Sequence, residues 1–196
     1  MVRRGTVALV APYAAWMVLM TALPATAAMY AVRGGVTAAL LLVGGGLGLY
    51  RPTARTRAGW LRAACVGVLA GGAVFAVWIA PDVLFSSAAP SGPSPYAPEV
   101  CGWGLTLAKL AASACVIPVA EELFFRRWLV DFAGFWWMVA LFAVEHGERW
   151  HVGAVTGVVY GLLARRFGLF AAIVAHAVTN LVLGLYVIRC GQWQFW

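Results

Sequence analysis

Apolar residues run along this chain in long stretches, divided by short groups of charged or turn-forming residues. Uncharged runs cover residues 5–32, 34–50 and 63–81. A helix needs roughly 20 mostly apolar residues to cross a bilayer, so these runs predict helices one to three. Between the second and third, Arg51, Arg55, Arg57 and Arg62 form the densest basic loop. Residues 81–98 hold five of the nine prolines together with Ser and Gly, which predicts an extended loop. A helical pattern then runs over 102–131, with Lys109 near its start and Pro118 as the expected kink. Gly134 ends it, and 135–146, 152–164 and 169–188 read as helices five to seven, with a polar turn at 147–151. The fold class is therefore all-α, a polytopic transmembrane helical bundle of about seven spans. Small-residue runs such as Gly44-Gly45-Gly46 are where helices could approach closely.

Composition strengthens this reading. The chain has 196 residues, of which 63% are hydrophobic and 11% charged, with a mean hydropathy of +0.87. Soluble domains carry roughly 25% charged residues. The opening Met1-Val2-Arg3-Arg4 resembles the start of a signal peptide, but the apolar run after it exceeds the roughly 7–15 residues of such a segment, and it is read as the first membrane helix. The net charge of +7 comes from 14 basic residues, all Arg except Lys109. They are scattered among apolar runs, with no basic patch interleaved with aromatics, so nucleic acid is not an expected partner. With the N-terminus inside, ten of the 14 fall on the cytoplasmic side, leaving Arg33, Lys109, Arg149 and Arg189 towards the other; this is a positive-inside bias. The four cysteines show no zinc spacing. Cys65 and Cys115 lie in apolar runs, and Cys101 and Cys190 both map to the non-cytoplasmic side, where a disulfide between them stays open.

Candidate chemistry centres on Glu121-Glu122-Leu123-Phe124-Phe125-Arg126-Arg127. Charges at membrane depth are costly, and those present usually face a cavity and have partners. Glu122 and Arg126 are four apart and stack on one helix face, whereas Glu121 lies about 100° round the helix without such a partner. Folding the chain back at Gly134 brings Glu121 and His146 each roughly 18 Å from the turn at ~1.5 Å per residue. His176 lies roughly 12 Å beyond the break at Gly168 by the same rise, and Asn180 is one turn further along its face. Singly, a membrane His or Asn serves equally well as a bond between helices, and His146 also fits a helix end at the interface. Two carboxylates, two histidines and an amide at matched depth favour a shared cavity. Glu145, Glu148, Arg149 and His151 read as a solvated turn.

Such a set suits attack by water on a carbonyl. A carboxylate deprived of water binds protons more readily and can act as general base. A His can pass the proton to the leaving amine, and a second His with an Asn can supply donors to an oxyanion. No G-x-S-x-G elbow is present. His146, His151, His176, Glu121 and Glu145 include zinc-compatible donors, but H-E-x-x-H is absent and His146 and His151 do not share a helix face. No metal or cofactor is expected, with a zinc-dependent version kept as an alternative.

At these positions the sequence resembles the CAAX protease and bacteriocin-processing family of glutamic intramembrane endopeptidases. Its signatures E-E-x-x-x-R, F-x-x-x-H and H-x-x-x-N read here as Glu121-Glu122-Leu123-Phe124-Phe125-Arg126, Phe142-Ala143-Val144-Glu145-His146 and His176-Ala177-Val178-Thr179-Asn180. The resemblance covers about 116–185. It implies that Glu121 and His146 activate the hydrolytic water, that His176 and Asn180 form the oxyanion site, and that Glu122 and Arg126 are a supporting pair. The turn from Glu145 to His151 is similar to a CAAX-protease-related bacterial branch, several of whose members are paired with C-terminal sorting signals of secreted proteins. Residues 1–98 are then an N-terminal part of three membrane helices and a Pro/Ser-rich loop, and 99–196 a catalytic membrane core. The expected activity is cleavage of a membrane-anchored protein or peptide within the lipid bilayer, in a bacterial inner (cytoplasmic) membrane. The alternative from another class is a non-catalytic immunity factor, scaffold or transporter; a transporter would favour repeated halves, and no internal repeat is visible.

Overall fold

A computed structural model describes residues 4–50, 56–85 and 94–196. These residues form seven helices: α1 (Arg4–Ala22), α2 (Ala27–Gly46), α3 (Arg57–Phe85), α4 (Pro98–Ala133), α5 (Phe135–Glu145), α6 (Trp150–Phe167) and α7 (Leu169–Cys190). The all-helical bundle agrees with the sequence reading. Five of the seven, α1 to α4 and α7, are long and apolar enough to cross a membrane; α5 is apolar but short. Many outward side chains, among them Leu42, Leu69, Trp136 and Val144, are apolar and exposed, as suits a surface solvated by lipid.

The first two helices divide elsewhere than the charge pattern suggests. Arg33 is not a boundary: it lies within α2 and is only 4% exposed. The break falls at Pro24, where Thr26 Oγ1 caps α2 by accepting from the Met29 N–H at 3.3 Å. The end of α1 leaves carbonyls without helical donors. One terminal guanidinium nitrogen of Arg33 supplies them, donating to Leu23 O at 2.6 Å and Pro24 O at 2.8 Å.

The third helix is also longer than expected. Arg57 and Arg62 lie inside α3 rather than in a loop, and Arg62 rests over the Phe167 ring at 5.5 Å. Residues 81–85 continue α3, so the loop is shorter than 81–98. Arg3, Arg51, Arg55 and residues 86–93 of that loop lie outside the described residues. Helix α4 starts at Pro98, with non-helical backbone at Gly102, and α6 extends beyond 152–164 at both ends. All four cysteines are free.

Consecutive helices from α4 to α5 and from α6 to α7 reverse through single residues, Gly134 (φ 89°) and Gly168 (φ 81°). Such positive φ is readily adopted only by glycine. These tight reversals stack α4 to α7 as two hairpins. Helix α7 lies along α3, and α4 also meets α1 and α2. The core between them includes Tyr13, Val74, Phe125, Met138, Phe142, Tyr160 and Ala175.

Gly67 and Gly71, spaced four apart on α3, make the close approach to α7. A Cβ on Gly67 would sit 2.8 Å from Ala171 O, and one on Gly71 2.5 Å from Ala175 O. Gly44 of the Gly44-Gly45-Gly46 run instead accommodates the Tyr50 ring, whose hydroxyl donates to Ala8 O at 3.1 Å. Gly71→Ala is therefore expected to push α3 off α7, destabilising the protein by about 1–3 kcal/mol. Gly72→Ala, whose Cβ would meet nothing within 4 Å, should be near neutral. Thermal unfolding of both purified variants in detergent checks the contrast.

Candidate active site

The candidate acids sit on an irregular part of α4. Wide, π-helical turns occupy Ala112–Val116 and Leu123–Leu129, flanking the segment Ile117–Glu122. Pro118 is the local cause on one side. It has no N–H to give, and the Ile117 N–H bonds to Ala112 O, one residue further back than in an α-helix. Ser113 O thus loses its usual donor, and a buried carbonyl needs a replacement. Asn180 Nδ2 of α7 provides it at 2.9 Å. The Ser113 hydroxyl shares a hydrogen bond with the Tyr30 hydroxyl at 2.7 Å.

One turn onward, Glu122 is enclosed. Its Oε1 lies 3.0 Å from Arg126 NH1, with side-chain exposures of 0% and 1%. This i, i+4 ion pair is the one expected from the spacing. The approach is off the hydrogen-bond line, so the guanidinium N–H groups find no acceptor among the described residues; the guanidinium instead lies 3.9 Å from the Phe142 ring centre. The same Glu122 Oε1 accepts from His176 Nδ1 at 3.0 Å. His176 Nε2 faces Glu121 Oε2 at 3.7 Å. Tyr160 stacks on the imidazole at 5.0 Å and donates from its hydroxyl to Thr179 Oγ1 at 2.7 Å. Thr179 Oγ1 in turn faces the carbonyls of Gly71 at 2.9 Å and Ala175 at 3.0 Å.

Glu121, Glu122, Arg126 and His176 therefore meet as one buried cluster. Asn180, one turn beyond His176 on α7, bonds the Ser113 carbonyl and none of these four side chains. His146 stands at its edge, half-buried between Trp78 (5.2 Å) and Phe142 (4.6 Å). Its Nδ1–H donates to Phe142 O at 2.7 Å; a carbonyl can only accept, so the other ring nitrogen, Nε2, is the one left for chemistry. No hydrogen bond or ion pair joins His146 to Glu121 among the described residues.

Two participants escaped the sequence reading. Glu145 is not a solvated turn residue: it is half-buried and lies within electrostatic reach of Tyr13 and Glu121. Its position next to His146 was the available signal. Tyr13, from α1, carried none beyond its polar hydroxyl in an apolar run. Arg149 is likewise held, by a paired contact with Asp82 at 2.7 and 3.0 Å that ties the turn to the end of α3. Glu148 and His151 are exposed, as a polar turn predicts. Among the described residues no group of three or more His, Cys, Asp or Glu is arranged to hold a metal ion. A cavity of about 520 Å³ between α4, α5 and α6 is lined by Arg126, Arg127, Asp131, Met138, Gly161 and Arg165 and reaches the cluster through Arg126.

The fold and site define a multi-pass helical membrane protein with carboxylates and histidine buried together at the centre of the bundle. Residues 102–182 match the family described as Rce1-like, type II CAAX prenyl endopeptidase Rce1-like, and over this part the chain is similar to that family. That similarity supports, at family level, a CAAX-type membrane endopeptidase acting on a membrane-associated peptide. All three motifs fall inside the matched region. Neither the comparison with curated proteins nor that with solved structures gave a match.

Removing one member of a buried ion pair leaves the other charge unopposed, at a cost of about 3–5 kcal/mol. Arg126→Met should therefore lower the unfolding temperature strongly, while Glu122→Gln with Arg126→Met should recover much of the loss. A double-mutant cycle on thermal stability measures this coupling.

Proposed function

We propose that the chain is a metal-independent intramembrane endopeptidase using a glutamate-activated water. The observation that supports this best is His176 held between two carboxylates, Nδ1 on Glu122 and Nε2 towards Glu121. Glu122 is engaged by Arg126 as well. Glu121 Oε2 has no hydrogen-bond partner among the described residues, which leaves it as the base.

In this reading Glu121 removes a proton from water as the water oxygen bonds to the peptide carbonyl carbon. The carbonyl oxygen becomes an oxyanion. Asn180 has a second Nδ2–H beyond the one engaged by Ser113, and this donor faces the developing charge. His176, whose Nδ1–H is given to Glu122, adds an Nε2–H only when its imidazole carries both protons. When the C–N bond breaks, the proton passes to the leaving amine from Glu121, with His146 Nε2 as the alternative carrier. Glu122 and Arg126 hold His176 in place and touch no reacting atom. Residues 99–196 carry these groups. The helices of 1–98 act as their wall, through Tyr13 and Trp78. The setting is a bacterial inner membrane, and the substrate a membrane-anchored protein or peptide; a C-terminal sorting signal is one such substrate.

A non-catalytic role as an immunity factor, scaffold or transporter draws on a different observation. The bonds of Asn180 to Ser113 O and of His146 to Phe142 O are ones a purely structural cluster would also make. The two readings diverge in a comparison of protein termini in host membranes and medium. The strains are a deletion, the deletion restored with wild type, and the deletion restored with Glu121→Gln. Wild type should restore specific termini, and Glu121→Gln should lower their yield by at least about 100-fold, within the range of a lost general base. Equal restoration by both proteins would sink the protease reading. Activity of the purified enzyme should survive chelators; its loss would favour the zinc version.

A further inference from the structure

One turn of α4 before Ser113 lies Lys109, with 5% of its surface exposed. Its ammonium sits 3.7 Å from the ring centre of Tyr30, 4.2 Å from that of Tyr96 and 5.0 Å from that of Trp196. These rings come from α2, from the turn before α4 and from the last residue of the chain. Ring faces attract a cation, but they accept no ordinary hydrogen bond, and an ammonium has three N–H donors. Among the described residues Lys109 has neither a hydrogen-bond acceptor nor an acidic partner. The second cation here makes matters worse. Arg33, 4% exposed, repels Lys109 electrostatically, and its Nε has no acceptor.

Two unopposed positive charges in an apolar bundle are costly unless something negative joins them. Among the described residues none of the seven acids pairs with either cation: Glu121, Glu122 and Glu145 belong to the candidate active site, Asp82 is taken by Arg149 and Asp131 by Arg127, and Glu99 and Glu148 are exposed. The cation pair is nevertheless connected to that site. Tyr30, under the Lys109 ammonium, shares a hydrogen bond with Ser113, whose carbonyl holds Asn180. Ser113 is one helical turn from Lys109, about 5.4 Å along α4. An extended peptide advances about 3.3 Å per residue, so a chain crossing Asn180 reaches Lys109 within a few positions of the bond being cut.

We propose that Lys109 and Arg33 form a receptor for a carboxylate of the bound peptide, seated in the aromatic box of Tyr30, Tyr96 and Trp196. The inference rests on the endopeptidase reading for its ligand being a peptide. The carboxylate comes either from an Asp or Glu side chain or from a chain terminus; both offer the same two oxygens to the cations. Occupation places an anion between two like charges and lets the ammonium donate to oxygen, so it orients the peptide along α4 before any chemistry occurs.

Binding can be read without turnover. Protein carrying Glu121→Gln, in nanodiscs of zwitterionic lipid, is titrated calorimetrically with three probes: octanoyl-Leu-Ala with a free carboxylate, its C-terminal amide, and octanoyl-Leu-Asp amide. At least one acid should bind about tenfold or more tightly than the neutral amide. A gain confined to the free terminus assigns the site to chain ends, and a gain confined to Asp assigns it to side chains. Lys109→Met should erase the preference, whereas Lys109→Arg, which keeps the charge, should retain it and so guard against simple misfolding. Equal binding of all three probes, no binding of either acid, or a preference that survives Lys109→Met would overturn the proposal. Should Glu121→Gln still cleave, the protease mechanism fails in the terminus comparison, independently of this titration.

Discussion

A carboxylate removed from water has to find its counter-charges within the protein, and Glu122 sets that requirement for the whole bundle. It is fully buried, and one of its oxygens contacts both Arg126 of its own helix and His176 of α7. The first contact follows from helical periodicity alone. The second needs α7 to dock against α4 at one height and rotation. That placement is then fastened from the far side, where Tyr160 of α6 stacks on His176 and bonds Thr179, and Thr179 faces the Gly71 carbonyl of α3. The glycine that lets α3 approach so closely is the one whose carbonyl completes the chain. Four helices share one register because one acid cannot be left unpaired.

Helix α4 provides for this by being imperfect. A regular helix carrying Pro118 would expose a bare carbonyl to the core. The wide turn before it moves the deficit to Ser113 O, where Asn180 can reach it. Backbone departures of this kind are frequent at functional sites. Here the departure is repaired by a side chain of the candidate site itself, so the catalytic candidate and the structural repair are the same amide. Having two N–H donors, it can do both.

Charge is also sorted within the bundle. Acids gather where α4, α5 and α1 meet, with His146 and His176 beside them. The cations Arg33 and Lys109 gather where α2, α4 and the end of the chain meet. Tyr30 and Ser113 bridge the two regions. An elongated ligand lying along α4 would pass from one to the other, and the field along that path has a direction.

Much was legible in the chain itself. Long apolar runs determined a helical membrane bundle, because lipid leaves the backbone little else to adopt. The i, i+4 rule paired Glu122 with Arg126, which is local geometry. The equal distances of Glu121 and His146 from Gly134 set a depth along one hairpin but not a contact, and His146 bonds Phe142 O instead. Other features depended on contacts between helices. Arg33 looked like a loop marker because arginines are usually at interfaces, yet the end of α1 held the carbonyls that draw it inside. Glu145 looked like turn polarity until the bundle half-buried it within electrostatic reach of Tyr13, some 130 positions away. Gly67 and Gly71 were two small residues among 22 glycines until α7 lay against them. Periodicity along one helix is a property of sequence; which face of which other helix meets it is decided only when the bundle closes, since that pairing depends on packing shape and unsatisfied polar groups at once.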